Sequence, residues 1–386
     1  MQTFSYLVTP DFMESFFQDY WLKQAVIVPA NPPNKFSHLF SWEDFNSLLN
    51  FHNLIYPEIR LAKGGQTLPE NACNDLIKQC QDGATLIIDR LQSRLPAIAE
   101  FTAKLRTELG HRTQVNAYCS FPGHQGFGCH YDAHEVFILQ ISGYKNWRVF
   151  SPTFEFPLSE HRSSLLDPPT VDPYINQQLK PGDLLYIPRG HWHYAVAVDE
   201  PSLHLTLGID CQTGIDFAEW LSEEFHQNPL WRESLPLLTP NYRQTCRLHL
   251  RNLIKEWVKQ LETDELIDRY LDEQFMQGQP STEFGFPAQI GFHLFPEGKH
   301  TKFYRPPQPV QINNLPEDTV EICTANKRIT LKGISRDVLE RLFKSTNFSG
   351  LDLCKWLPDF DWEADISPMM TQLILSGVVR VEPPKL

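Results

Sequence analysis

Between about Thr113 and Asp210 the apolar positions fall in short runs broken by Gly and Pro, a strand pattern rather than a helical one. Residues 128–150 read as two strands around a Ser142-Gly143-Tyr144 turn. Residues 180–193 read as a Pro181-Gly182-Asp183 turn, a buried strand Leu184–Ile187, a second turn, and then His191 and His193. Many short strands with such punctuation predict a β-barrel or a double-sheet jelly roll.

The flanks differ. Residues 10–24 carry Phe12, Phe16, Phe17, Tyr20 and Trp21 at spacings that predict an amphipathic helix with an aromatic face. Ala25–Pro29 predicts a short strand, 31–40 a loop, and Ser41 the N-cap of a following helix. Thr85–Ile88 reads as a buried strand and 95–110 as a helix ended by Gly110. Beyond about Asp210 the pattern turns helical over 214–275. Its apolar stripe, from Leu248 through Val258 to Leu271, is expected to pack on the barrel or on a second copy of the chain, which predicts a homodimer. Residues 276–310 read as a linker. Strands at Val320–Ile322 and Arg328–Leu331, helices at Ile334–Lys344, Leu351–Leu357 and Pro368–Leu375, and a strand at Val378–Val381 give the order of a winged helix. The expected class is α+β in three units: a barrel with its N-terminal extension at 1–213, a helical dimerisation segment at 214–280, and a linker with a winged-helix-like domain at 281–386.

The formal net charge is −13, with no run of Lys and Arg, which argues against a broad basic face for nucleic acid and favours a basic partner. The last module has nearly balanced charge and no basic recognition helix, so direct DNA binding is not expected. Eight scattered cysteines without a Cys-x-x-Cys pair suit reduced thiols. With neither a secretory signal nor a membrane-length apolar run, the expectation is a cytoplasmic protein with no membrane association.

His130 and Asp132 are two residues apart and on a strand would face the same way, offering an imidazole and a carboxylate to one metal ion. His193, or His191 two residues earlier, would supply a third ligand. Two histidines and a carboxylate make the facial triad of non-haem Fe(II) oxygenases, with three coordination positions left open. His134 is a candidate for a substrate channel. Tyr131 alternates to the opposite face and His124 lies in an exposed loop.

The stretches Asn116-Ala117-Tyr118, Gln125–Asp132, Phe137–Gln140, Gly143–Val149, Gly182–His193 and Ser202–Thr206 together resemble the Jumonji C (JmjC) oxygenases of the ribosomal oxygenase group. The aromatic N-terminal segment, the helical segment and the C-terminal module fit the same layout. The resemblance implies a double-stranded β-helix of the cupin type that binds Fe(II), 2-oxoglutarate and O2. It implies His130, Asp132 and His193 as metal ligands and Lys145 as the cation for the distal carboxylate of 2-oxoglutarate. It also implies Asn116 and His204 close to the cosubstrate or metal. A buried carboxylate needs such a positive partner. Trp147, Phe137 and Trp192 are candidates for apolar walls. The implied reaction is hydroxylation of a protein or peptide side chain, Arg or His of a basic ribosomal protein being the expected target. Other peptides or a tRNA base are alternatives. A cupin that does not use 2-oxoglutarate is disfavoured by Lys145, and a non-catalytic metal-binding module by the intact triad. One position departs from the group: Gly208 stands where histidine-hydroxylating relatives often carry Ser.

Overall fold

In the computed structural model, residues 2–262, 264–277, 284–325 and 327–382 are described. The Gly- and Pro-punctuated region forms most of one nine-stranded antiparallel sheet. Its strands are β1 (Val26–Val28), β2 (Ile59–Lys63), β3 (Gln66–Thr67), β4 (Thr85–Ile88), β5 (Arg112–Ser120), β6 (Glu135–Phe150), β7 (Ile175–Leu179), β8 (Leu184–Ile187) and β9 (Trp192–Asp210). They lie in the order β1-β8-β6-β9-β5-β4-β2-β3, with β7 also paired to β6.

The spine is the β6–β9 ladder, which runs from Glu135 opposite Ile209 to Phe150 opposite Trp192. The turn expected at Ser142-Gly143-Tyr144 does not reverse the chain. It is a β-bulge inside one continuous strand of 16 residues, with register shifts between Gln140 and Tyr144. Gly143 has φ +67°, and a Cβ there would stand 2.2 Å from the Pro201 carbonyl oxygen. The glycine signal is therefore real, but it marks a close backbone approach rather than a reversal. The buried Gln140 amide fastens the bulge, donating to the Gly143 carbonyl (2.9 Å), the Ser142 carbonyl (3.0 Å) and Ser202 Oγ (2.9 Å).

The bulge changes the parity of the strand. Before it, Val136 and Ile138 face the interior cavity; after it, Lys145 and Trp147 do. On the opposite face Phe137, Leu139 and Ile141 enter the main core. There Phe137 meets Phe4, Phe16, Trp21 and Tyr186. The helix expected over 10–24 is present as one continuous helical run over 10–20 whose pitch changes along its length, and Phe4 joins its aromatics from an earlier helix. The elements are a helix Gln2–Val8, a 3-10 turn Pro10–Phe12, a single α turn Met13–Ser15 and a π turn Phe16–Tyr20. Pro10 begins a new turn, having no N–H with which to continue the preceding helix. Ser41 is the expected N-cap, accepting from Asp44 N at 3.1 Å, and Gly110 caps the helix Pro96–Leu109 with φ +72°.

After the sheet come helices Gly214–Phe225, Pro229–Arg232, Arg243–Leu261 and Asp264–Met276. Helix Arg243–Leu261 buries Cys246 and Leu253 but leaves Leu248, Leu250, Ile254 and Val258 exposed, so most of its apolar stripe does not pack on the barrel. The linker expected over 276–310 lies partly outside the described residues. From residue 284 onward it belongs to the last module instead, because Ala288 and Phe303 are buried with Leu339, Leu342, Met370 and Leu373. That module has helices Arg336–Lys344, Gly350–Trp356 and Ser367–Leu375. It also has two three-stranded sheets, one joining Lys302–Tyr304 to Asn347–Ser349 and Arg380–Val381, the other running Gln311–Leu315, Thr319–Thr324 and Lys327–Lys332. Among the described residues no helix is long and apolar enough to cross a membrane.

Gly143→Ala combines backbone strain with a backbone clash, so it should lower the unfolding free energy by about 2–4 kcal/mol. Gly214→Ala, whose Cβ meets nothing within 4 Å, should change it by less than about 1 kcal/mol. Urea denaturation of the two variants measures the contrast, and equal effects would refute the account of the bulge.

Candidate metal centre

His130 and Asp132 do not lie on a regular strand. They sit in the irregular segment just before β6, and His193 is the second residue of β9 rather than the end of the strand before it. A single antiparallel bridge joins the two histidines: His193 N donates to His130 O at 2.7 Å and His130 N to His193 O at 3.1 Å. Gly190 N donates to Asp132 O at 2.9 Å, which ties the third residue to the turn before β9. Backbone pairing thus fixes all three relative to one another.

The result is a cluster in which one donor atom from each of His130, Asp132 and His193 lies within 4.8 Å of the others. Nε2 of His193 is 3.5 Å from Asp132 Oδ2. His130 Nδ1 lies 2.8 Å from the Gly128 carbonyl and His193 Nδ1 lies 3.0 Å from the His191 carbonyl. A carbonyl only accepts, so each Nδ1 carries the proton and each Nε2 is left as a bare donor nitrogen. Burial and the neighbouring His130 push His193 down to about 4, so its ring is neutral near pH 7. For Asp132 burial acts upward, but His134, His130 and His193 together outweigh it and hold the carboxyl below its ordinary range. Two imidazoles that turn Nε2 inward and one carboxylate are a donor set suited to a divalent metal. His191 is not in this cluster. Its Nδ1 is 2.6 Å from the Tyr174 hydroxyl, in the turn between β8 and β9.

The cluster opens on a cavity of about 320 Å³. One wall is a ladder of cross-strand neighbours: Gln114, Asn116 and Tyr118 on β5 lie opposite Gly208, Thr206 and His204 on β9. The facing wall is the far half of the spine, with Lys145 and Trp147 on β6 beside Ala195 and His193 on β9. Lys145 crosses from one wall to the other, donating to Ser120 Oγ at 2.9 Å; that hydroxyl lies 3.1 Å from Thr85 Oγ1. Lys145 is only 6% exposed, a buried cation rather than a solvated turn residue. Burial pushes its pKa down to about 7, with Cys119 opposing.

His204 is 2% exposed and stacks on Tyr118, with centroids 5.0 Å apart and rings 8° from parallel. Burial first, and Lys145 second, push it well below its ordinary value. His204 Nδ1 and Trp147 Nε1 are buried without a hydrogen-bond partner among the described residues, and both residues line the cavity. Buried polar atoms in native proteins are rarely left unmatched, so a ligand with acceptor oxygens fits this wall. Asn116 also lines the cavity, with one end taken up: Oδ1 accepts from Arg90 N at 2.9 Å.

His134 lines the cavity as well, Trp147 forms part of its wall, and Phe137 and Trp192 lie in the packed core instead. Tyr131 is buried against Trp192. Several lining residues were not anticipated. Gln114 and Tyr118 share the parity of Asn116, so period-2 counting from that one residue would have reached them. Arg60 and Thr85 come from β2 and β4, and nothing local to those strands signals the meeting.

A protein-family model described as the JmjC domain matches residues 92–217. Among curated proteins the chain is 31% identical over 303 residues to the bifunctional lysine-specific demethylase and histidyl-hydroxylase NO66 of Drosophila persimilis, covering 70% of this chain and 43% of that one. It is 32% identical over 255 residues to human ribosomal oxygenase 1, covering 60% and 39%. The chain thus spans less than half the length of these relatives. Among solved structures, YcfD, a ribosomal oxygenase from Escherichia coli in complex with cobalt and 2-oxoglutarate, matches with a TM-score of 0.62. The match is 18% identical and covers 96% of this chain and 98% of that one, so it bears on the fold. The nine-stranded sheet is accordingly a double-stranded β-helix of the cupin type, and the chain contains a JmjC domain and is similar to the ribosomal oxygenases.

Proposed function

We propose that this protein is an Fe(II)- and 2-oxoglutarate-dependent oxygenase that hydroxylates a side chain of a protein or peptide, with ribosomal proteins as the substrate class. In the overall reaction one oxygen atom of O2 converts a substrate C–H to C–OH. The other enters succinate as 2-oxoglutarate loses carbon dioxide. The observation that carries the reading is the single cavity lined by both the His130, Asp132 and His193 donor set and the buried cation Lys145. A metal site alone would suit many cupins; a buried cation beside it asks for an anionic cosubstrate.

Iron bound with 2-oxoglutarate and O2 would supply the oxidising chemistry. The chain's own residues do the rest. His130 and His193 turn Nε2 inward because their Nδ1 protons are held by backbone carbonyls. Lys145 neutralises the distal carboxylate, while the unmatched N–H of Trp147 is available to a cosubstrate oxygen. Phe127, Val136, Ile138 and Trp147 limit water in the cavity. The acidic balance of the chain suits a basic ribosomal substrate. The exposed stripe Leu248, Leu250, Ile254 and Val258 on a 19-residue helix supports a homodimer formed through that face.

The direct test is succinate release from 2-oxoglutarate under air with Fe(II) and ascorbate, with and without ribosomal protein extract. Stimulation by extract is expected. Absence of succinate from iron-loaded protein would leave a non-catalytic metal-binding module.

Three further outcomes are expected. His130→Ala, Asp132→Ala and His193→Ala should each lose stoichiometric binding of Co(II) while keeping the circular dichroism of the fold; retained binding in any two would refute the donor set. Cosubstrate binding should take up a proton at pH 8 and none at pH 6. Lys145 titrates near pH 7 when free and is held charged by a carboxylate, so affinity should fall as pH rises above about 7. Calorimetry of 2-oxoglutarate binding to anaerobic, metal-loaded protein in buffers of different ionisation enthalpy reads this uptake, and Lys145→Ala should abolish it and weaken binding about 100-fold or more. Finally, light scattering should give twice the chain mass, and the paired change Leu250→Glu with Ile254→Glu should halve it.

A further inference from the structure

The turn between β8 and β9 does more for the metal site than tie Gly190 to Asp132. The His191 carbonyl, 3.0 Å from His193 Nδ1, is the acceptor that keeps the proton on that nitrogen. Which ring nitrogen of a histidine carries the proton is set by the hydrogen bond it makes, and only the nitrogen without it can bind a metal. The position of the His191 carbonyl therefore decides whether His193 presents a bare Nε2. Yet residue 191 lies just outside the β6–β9 ladder, which ends at Trp192 opposite Phe150. Its N–H donates to the Pro188 carbonyl within the same turn, at 3.2 Å. Backbone pairing holds this carbonyl less firmly than it holds the strand that follows.

The His191 side chain supplies the rest. It is 7% exposed, and its Nδ1 lies 2.6 Å from the Tyr174 hydroxyl. That hydroxyl accepts from Ala25 N at 3.0 Å, so its own proton is free to go to His191 Nδ1. The Lys23 backbone hydrogen-bonds the same ring. A second tyrosine makes a parallel connection. Leu22 N donates to the Tyr186 hydroxyl at 2.9 Å. That hydroxyl donates to buried Glu135, whose other oxygen accepts from Arg189 N at 3.4 Å. Leu22 has φ +62°, a left-handed backbone that a non-glycine residue rarely adopts. Such strain persists where the surrounding contacts require it. Residues 22–25 and the two tyrosines thus clamp the turn that carries the His191 carbonyl.

We propose that His191 is a positioning residue for the metal centre: its ring, held by the Tyr174 hydroxyl, fixes the carbonyl that sets the tautomer of His193. The inference rests on the metal-centre reading above and deepens it. His191 itself binds no metal, and the donor cluster does not include it. Groups that orient a metal ligand in this way are worth about 10–100-fold in metal affinity.

The test titrates the full chain with Co(II), reading affinity and the visible absorption bands of the bound ion, and follows urea unfolding of the same variants. His191→Phe fills the space of the ring but cannot accept from Tyr174. Tyr174→Phe removes the hydroxyl alone and serves if His191→Phe does not fold. Each should weaken Co(II) binding about tenfold or more and shift the absorption bands. His191→Asn places an acceptor oxygen where Nδ1 stood, and should stay within about threefold of the unaltered chain. In metal-free protein with histidine labelled by nitrogen-15, NMR should find the His193 proton on Nδ1 in the unaltered chain and in His191→Asn, and a mixture of tautomers in the other two. A merely structural role would lower the urea midpoint of the Phe variants and leave Co(II) affinity, bands and tautomer unchanged. That result would overturn the inference, as would equal losses in His191→Asn and His191→Phe. In both cases Co(II) binding by the unaltered chain leaves the metal-centre reading standing, whereas its absence removes both.

Discussion

The site depends first on how β6 and β9 are paired. Two long strands run antiparallel for almost their full length, and each contributes to both walls of the cavity. A regular strand of this length would send alternate residues to fixed faces throughout, and Lys145 would then face away from Val136 and Ile138. The bulge at Gly143 removes that constraint by shifting the register, and the buried Gln140 amide holds the shift in place. The same irregularity therefore keeps Phe137 in the core and turns Lys145 into the cavity. Its backbone contact with Pro201 leaves no room for a side chain.

The cavity is held against the preferences of its own side chains. Lys145 is buried with one hydroxyl as its hydrogen-bond partner, and His193 and His204 are driven toward their neutral forms by burial. Trp147 Nε1 and His204 Nδ1 have no partner among the described residues. Each unmatched buried polar group costs about 1–3 kcal/mol. The aromatic core behind the wall, where Phe4, Phe16, Trp21, Phe137 and Tyr186 meet, supplies the rigidity that keeps such groups in position. A site prepared in this way gains when a ligand satisfies it, because the strain is already present before binding.

Much of this was legible along the chain. The strands at Val26–Val28, Thr85–Ile88 and Leu184–Ile187 follow from apolar runs bounded by Gly and Pro, and the cap at Ser41 from its own side chain. His130 and Asp132 were readable from their spacing, whereas the choice of His193 over His191 comes only from the family resemblance; the structure brings His193 beside the pair and His191 beside Tyr174. What could not be read is geometry that depends on distant partners. Gly143 signals an irregularity, and only the position of Pro201 makes it a bulge instead of a turn. The N-terminal aromatics have helical spacing and do form a helical run, but its pitch passes from 3-10 through α to π where they pack around Phe137 and Tyr186, which the spacing alone does not show. Arg60 reaches the cavity from a strand whose own pattern is that of a buried sheet. The apolar residues after 284 resemble a linker in composition, but Phe303 is buried at the centre of the last module.

The two ends of the site are built differently, and this separates chemistry from recognition. The Lys145 end is strand on every side, with hydroxyls from β4 and β5 and rings from β6 and β9 in fixed register. The ligand end holds His193 in the long ladder, but joins His130 and Asp132 to it by one bridge and one hydrogen bond from Gly190 outside that ladder. His134 lies in that same irregular segment, between Asp132 and the start of β6. Changes in such a segment re-aim a side chain without disturbing the ladder, whereas changes in the ladder move everything. A fold of this kind can keep one reaction and exchange its substrates by substituting a few residues around the ligands. The His134 ring packs over Gly208 at the border where irregular chain meets strand, and no larger residue at 208 would leave it room.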